Sequence, residues 1–156
     1  PRAITFVDGV DEIEVEHWGR LLRHHERFAP RGTNVNFVEV LDVGRLAVRT
    51  FEFGVEDETL ACGTGSASAA ILAARRFDWP AEYLTGQAPV EVRVRGGDTL
   101  YVWFTVDEAG NAGDVCLATR VRQVYSGRLS DELAATALDP TARGAEPATP
   151  TFDIAP

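Results

Sequence analysis

The sequence has no lysine and no methionine, only two cysteines among 156 residues, and no apolar run long enough to cross a bilayer. Each shortage excludes something. The 15 basic residues are all arginine and are outnumbered by 24 acidic ones, for a formal net charge of −9. No basic stripe exists to neutralise phosphates, which argues against nucleic acid as a partner. Without a run of about eighteen apolar residues, or a basic segment ahead of an apolar stretch, neither a membrane span nor a signal peptide is predicted, and a cytoplasmic protein is expected. Cys62 and Cys116 show no Cys-x-x-Cys or Cys/His ligand spacing, so no metal site and no disulfide framework are expected, and a reducing compartment fits. His17, His24 and His25 fall on a predicted amphipathic helix and read as surface residues. The missing Met, with an extended segment starting almost at Pro1, suggests a slice of a longer chain. An initiator Met ahead of Pro is normally removed, so that absence alone does not establish it.

An apolar content of 45% in a chain of this length suits a single domain with one core. Ala3 to Val7 reads as a strand ending in the turn Asp8-Gly9. Val15, Trp18, Leu21 and Leu22 then fall at helical spacing on one face, in a helix expected to stop near His25. Val35 to Asp42 and Leu46 to Phe53 are rich in β-branched and aromatic residues and flank Val43-Gly44, which reads as a hairpin. Side chains alternate along a strand, so Leu46, Val48, Thr50 and Glu52 share a face, with Glu52 a carboxylate at its rim. The segment Thr64 to Phe77 is small or apolar all round until its last turn, as in a helix enclosed by other structure. Alternating Val90, Val92 and Val94, the turn Gly96-Gly97-Asp98, and Leu100 to Val106 form a second hairpin. An extended stretch from Val115 to Tyr125 is expected to close the sheet, with Cys116 packed inside it. The fold class predicted is α+β, a mainly antiparallel sheet wrapped around a central buried helix. The domain covers residues 1–129, and 130–156 form a poorly ordered Ala/Pro/Thr-rich tail with a short helical possibility at Ser130 to Leu138.

The segment running from Glu52 through an acidic loop to Leu60-Ala61-Cys62-Gly63-Thr64-Gly65 carries the chemistry. It puts a thiol at a helix N-terminus, where backbone N–H groups without internal acceptors bind anions and favour thiolate over thiol. Gly63 and Gly65 are expected to keep side chains away from those amides.

Glu-Thr-Leu-Ala-Cys-Gly-Thr-Gly, at 58–65, resembles the second active-site segment of diaminopimelate epimerases, and Gly32-Thr33-Asn34-Val35-Asn36-Phe37-Val38-Glu39 resembles that family's other C-terminal signature. The resemblance runs from Pro1 to about Leu129 and omits the family's N-terminal half, which holds the partner Cys-Gly-Asn-Gly segment. It implies two pseudo-symmetric domains clasping an amino acid between helix N-termini, and racemisation without pyridoxal phosphate or any other cofactor. One thiolate removes the α-proton while an opposed thiol protonates the other face. Carried over, the resemblance makes Cys62 an acid/base. Gly63 and Thr64 become carboxylate-binding, Asn34 a substrate contact, and Glu52 a group that tunes the thiol or meets the substrate ammonium. Phe53 occupies a substrate-binding position where the family usually has Arg, and Arg2 stands where it usually has His. Phe cannot supply a bidentate guanidinium. The alternatives are a divergent racemase with a proline-racemase-like substrate, or a non-catalytic carboxylate-binding relative. The partners implied are a small amino acid and the N-terminal half of the same enzyme, with a homodimer as a further arrangement. The lone chain is expected to be inactive, because one thiol cannot address both faces of the α-carbon.

Overall fold

The computed structural model describes residues 2–131 and Leu133. The chain divides into two compact units, Pro1–Val121 and Arg122–Pro156. The predicted tail lies within the second, and apart from Ser130, Asp131 and Leu133 its residues are outside those described.

The first unit is α+β. Strand β1 (Arg2–Phe6) leads through a 3-10 turn at Val10–Glu12 into helix α1 (Val15–Arg23). Strands β2 (Asn34–Asp42) and β3 (Arg45–Glu52) form the first predicted hairpin, followed by a three-residue strand β4 (Asp57–Thr59). Helix α2 (Gly63–Arg76), a single turn α3 (Ala81–Leu84), and the second predicted hairpin of β5 (Val90–Val94) and β6 (Thr99–Val106) follow, and β7 (Ala112–Ala118) comes last. Among the described residues these strands make one sheet in the order β1-β2-β3-β5-β6-β7, with β4 pairing β3. The sheet is mixed: β1 runs parallel to β2 and β3 parallel to β5, and the other pairings are antiparallel. Both parallel pairs are joined by a crossover containing a helix, as parallel strands require.

Strands β2 and β3 bury side chains on both faces of the sheet. Val35, Phe37, Ala47 and Phe51 point to one face and pack with Val10 and Val15 under α1. Val38, Leu46 and Val48 point to the other and join Val90, Val92, Val102, Phe104 and the alanines of α2. Period-two alternation thus feeds two apolar clusters rather than one. Helix α2 meets β1, β2, β3, β5, β6 and β7. Its buried stripe is Gly65, Ser66, Ala69, Ala70, Ala73 and Ala74, while Leu72, Arg75 and Arg76 are exposed.

Three expectations are corrected. In α1 the buried stripe is Val15, Gly19 and Arg23, whereas Trp18 and Leu21 are about half exposed, at 49% and 55%. The cause is close approach: a Cβ on Gly19 would lie 2.4 Å from Phe51 Cβ, so α1 lies on β3 at its glycine, turning Trp18 and Leu21 outward. The helix ends at Arg23 with His24 as its C-cap, close to the expected stop near His25, which accepts a hydrogen bond from Arg27 N at the start of a 3-10 turn. The last strand is Ala112–Ala118 rather than Val115 to Tyr125, and Cys116 is exposed rather than packed, because β7 is an edge strand with a burial pattern that is almost wholly open.

Candidate active site

Register brings the site together. Arg2 at the start of β1 pairs with Asn34 at the start of β2, and Val35 pairs with Phe51, which sets Glu52 and Phe53 beside Asn34 at the same end of the sheet. The N-terminus of α2 reaches this end. Cys62 is its N-cap residue in extended conformation, with no side-chain cap bond and no acidic residue in the first turn. The first helical bond there runs from Ser66 N to Cys62 O at 2.9 Å, so the amides of Gly63, Thr64 and Gly65 have no acceptor within the helix. The partial positive charge of that terminus is therefore left for an anion.

Cys62 is nearly buried, at 7% exposure, and its Sγ has two polar neighbours. Asn34 Nδ2 lies 3.9 Å away and Thr64 Oγ1 3.7 Å away. Asn34 Oδ1 accepts from Phe53 N at 3.0 Å, so this side chain ties the end of β3 to the thiol. Arg2 reaches across from β1 and donates to Thr64 Oγ1 from both Nε, at 3.0 Å, and Nη2, at 2.6 Å. A cavity of about 340 Å³ is lined by Arg2, Arg31, Gly32, Thr33, Asn34, Glu52 and Phe53. Glu52 is half-buried on its wall, and its carboxylate has no hydrogen-bond or ion-pair partner among the described residues. A larger cavity of about 540 Å³ lies against α1 and includes none of the predicted site residues.

The predicted residues therefore fall into two linked groups. Asn34, Glu52 and Phe53 line the cavity, while Cys62, Gly63 and Thr64 form the helix start, with Asn34 and Arg2 joining them. Gly65 also serves the packing of the helix. A Cβ there would lie 2.1 Å from Asn36 Oδ1 and 3.2 Å from Cys62 Sγ, so this glycine lets the helix lie against β2. Asn36 is wholly buried, accepting from Thr50 Oγ1 at 2.9 Å and donating to Ala3 O at 3.1 Å, which locks β1, β2 and β3 beneath the thiol.

Sequence reasoning missed Arg23 and Arg31. Arg23 is buried on α1 and donates to Arg31 O at 2.9 Å, pairs with Glu56 at 2.9 Å, and stacks over the Phe53 ring at 4.2 Å. Gly32, at φ +78°, leaves the space its guanidinium occupies. The Gly54 amide first, then Arg23, hold the Glu56 carboxyl below the usual carboxylate range. This clamp shapes the cavity wall. The signal available was a charged residue at i+8 from Val15, on the stripe that also carries Gly19.

The model of the family described as diaminopimelate epimerase matches residues 1–118. A diaminopimelate epimerase of Aquifex aeolicus (strain VF5) is 40% identical over 136 residues, covering 85% of this chain and 44% of the relative. One from Chlorobaculum tepidum is 39% identical over 132 residues, covering 83% of this chain and 47% of the relative. The chain thus spans a little under half the length of the curated relatives it matches. Among solved structures, a phenazine biosynthesis protein of the PhzF family from Bacillus anthracis aligns over 70% of this chain and 32% of its own, at 22% identity and a TM-score of 0.44. With the family model covering most of the chain, and the two signatures it shares meeting at one end of one sheet around Cys62, this chain belongs to the diaminopimelate epimerase family.

Proposed function

We propose that this chain supplies one half of the active site of a diaminopimelate epimerase, interconverting LL- and meso-diaminopimelate without a cofactor. Cys62 is one of its two acid/base thiols, and the N-terminal half of the same enzyme supplies the other. The observation that carries the reading is Cys62 Sγ, set at an uncompensated helix N-terminus, with Asn34 and Thr64 beside it. The free amides at Gly63 and Thr64 are placed for the α-carboxylate and for the charge that develops on it during deprotonation. Glu52, unpaired on the cavity wall, suits an ammonium, and Arg31 supplies a cation for a carboxylate where Phe53 has none. In one direction Cys62 thiolate takes the α-proton, breaking C–H and forming S–H, while the opposed thiol gives its proton to the other face. The proton count is unchanged and the two sulfurs exchange protonation states. The exposed stripe of α2 at Leu72, together with the helix's contact with six strands, supports a helix enclosed once the other half is in place. A cytoplasmic enzyme fits two free cysteines.

The test is turnover of LL-diaminopimelate in deuterated water by a preparation containing both halves. Deuterium should enter at the α-carbon as the meso product forms, and Cys62→Ala should lower turnover by about a thousandfold or more. The 156-residue chain alone should do neither. Turnover surviving in Cys62→Ala ends the reading, and turnover by the lone chain would instead require two copies of Cys62 face to face.

A further inference from the structure

A hydroxyl has one O–H to donate and two lone pairs to accept with. At Thr64 the hydroxyl oxygen accepts twice from Arg2, from Nε at 3.0 Å and Nη2 at 2.6 Å. Cys62 Sγ lies 3.7 Å from the same oxygen. Taken by themselves, the sulfur and the hydroxyl could each be the donor. The guanidinium biases that choice, because a hydroxyl oxygen bound by two N–H groups of a cation turns its own O–H away from them and is a poorer acceptor for the thiol.

The orientation of Asn34 is fixed in the same way. Its two amide ends look alike in shape, but Phe53 N donates to one of them at 3.0 Å, and only the carbonyl oxygen can accept. The NH₂ end then faces Sγ at 3.9 Å. The sulfur thus meets two donors, each turned toward it by a third group.

We infer that Arg2 is a positioning residue for the thiol: by donating twice to Thr64 Oγ1 it turns that hydroxyl to donate to Cys62 Sγ, favouring the deprotonated sulfur. The inference rests on Cys62 being the proton carrier, but its test does not require turnover. Arg2 does not touch the sulfur, so its effect passes through Thr64. Hydrogen bonds donated to an ionised acceptor are roughly twice as strong as neutral ones, which gives the relay its leverage. The β1–β2 register that sets Arg2 opposite Asn34 places both relays at one end of the sheet.

The experiment is alkylation of Cys62 by iodoacetamide, followed across about pH 5 to about pH 9 in the full chain carrying Cys116→Ser, so that one thiol reports. Arg2→Ala should move the rate profile to higher pH and slow alkylation near neutrality by about tenfold, with the limiting rate at high pH unchanged. That limiting rate reports access to the sulfur, so a merely structural effect of the substitution would move it and this relay would not. Thr64→Val should give the same displacement, and Arg2→Ala with Thr64→Val together no more than either, because the two act as one unit. Arg2→Lys, whose ammonium lacks the planar fork, should fall between wild type and Arg2→Ala. Superimposable profiles for wild type and Arg2→Ala, or additive displacements in the double variant, overturn the inference. A displaced profile in a protein whose two halves together do not epimerise would sink the proposed function and leave the relay standing.

Discussion

The two faces of the β3–β4 ladder carry carboxylates of similar sequence context and opposite circumstance. On the α1 side, Glu58 is saturated: Arg49 binds it through Nε and Nη2, both at 2.7 Å, with Arg95 a third cation at 3.7 Å. Arg49 is engaged through all three of its nitrogens, since its Nη1 bonds the carbonyls of Val10, Asp11 and Ile13, and the Glu58 hydrogen bond, its largest influence, raises its pKa. On the other side Glu52 has no partner among the described residues, and the amides at the head of α2 have no acceptor in the helix. One face spends its charges on holding strands together, and the other leaves them toward a cavity. Polar groups that a fold leaves half-buried and unsatisfied are the ones a ligand can complete.

The comparison breaks if the saturated face proves dispensable. Arg49→Ala leaves Glu58 partly buried without its bidentate partner and should cost about 3–5 kcal/mol in denaturant unfolding. Replacing both members by apolar residues should restore much of that loss. A smaller effect is expected from Gly65→Ala, whose methyl would collide with Asn36 Oδ1. Overpacking of this kind should cost about 1–3 kcal/mol, read as a lowered unfolding midpoint. Glu56 sharpens the contrast through pH. Its carboxyl is held below its unfolded value, so the stability it contributes is complete above the ordinary Glu range and is lost as pH falls through the lowered value. Wild type should therefore exceed Glu56→Gln near neutrality, and thermal melts of the two should converge in acid. The smallest effect on stability belongs to Glu52→Gln, within about 0.5 kcal/mol, because no interaction is removed. In the two-half enzyme the same change should weaken turnover by at least about tenfold. A destabilised Glu52→Gln would mean that this carboxylate is structural after all.

Much of the frame was legible before any coordinates. β-branched and aromatic enrichment around Val43-Gly44 named the first hairpin, strict alternation the second, and the glycine-rich run after Cys62 the helix start, because strand preference, strand pleat and helix termini are local consequences of chain geometry. The α1 face was not legible: Trp18 and Leu21 have the right spacing, yet contact is decided by Gly19 approaching Phe51, a fact about two elements rather than one. Cys116 was misplaced for a related reason. Val115-Cys116-Leu117 reads the same in a central strand as at an edge, and only sheet order puts β7 last. The acidic loop hid β4, whose three residues gain their structure by pairing with β3.

At the site, residue types came from the chain itself: a thiol ahead of Gly-Thr-Gly, an asparagine opening a strand, and a carboxylate closing another. Their hydrogen-bond directions came from elsewhere. That Arg2 donates to Thr64, that Phe53 turns Asn34, and that Arg23 shapes the cavity wall depend on groups 19 to 62 positions apart meeting at one sheet end. Local sequence determines which donors and acceptors exist and in which elements. Only the packed sheet decides which of them are used up by one another and which remain for a substrate, because that allocation is a matter of distances across the chain.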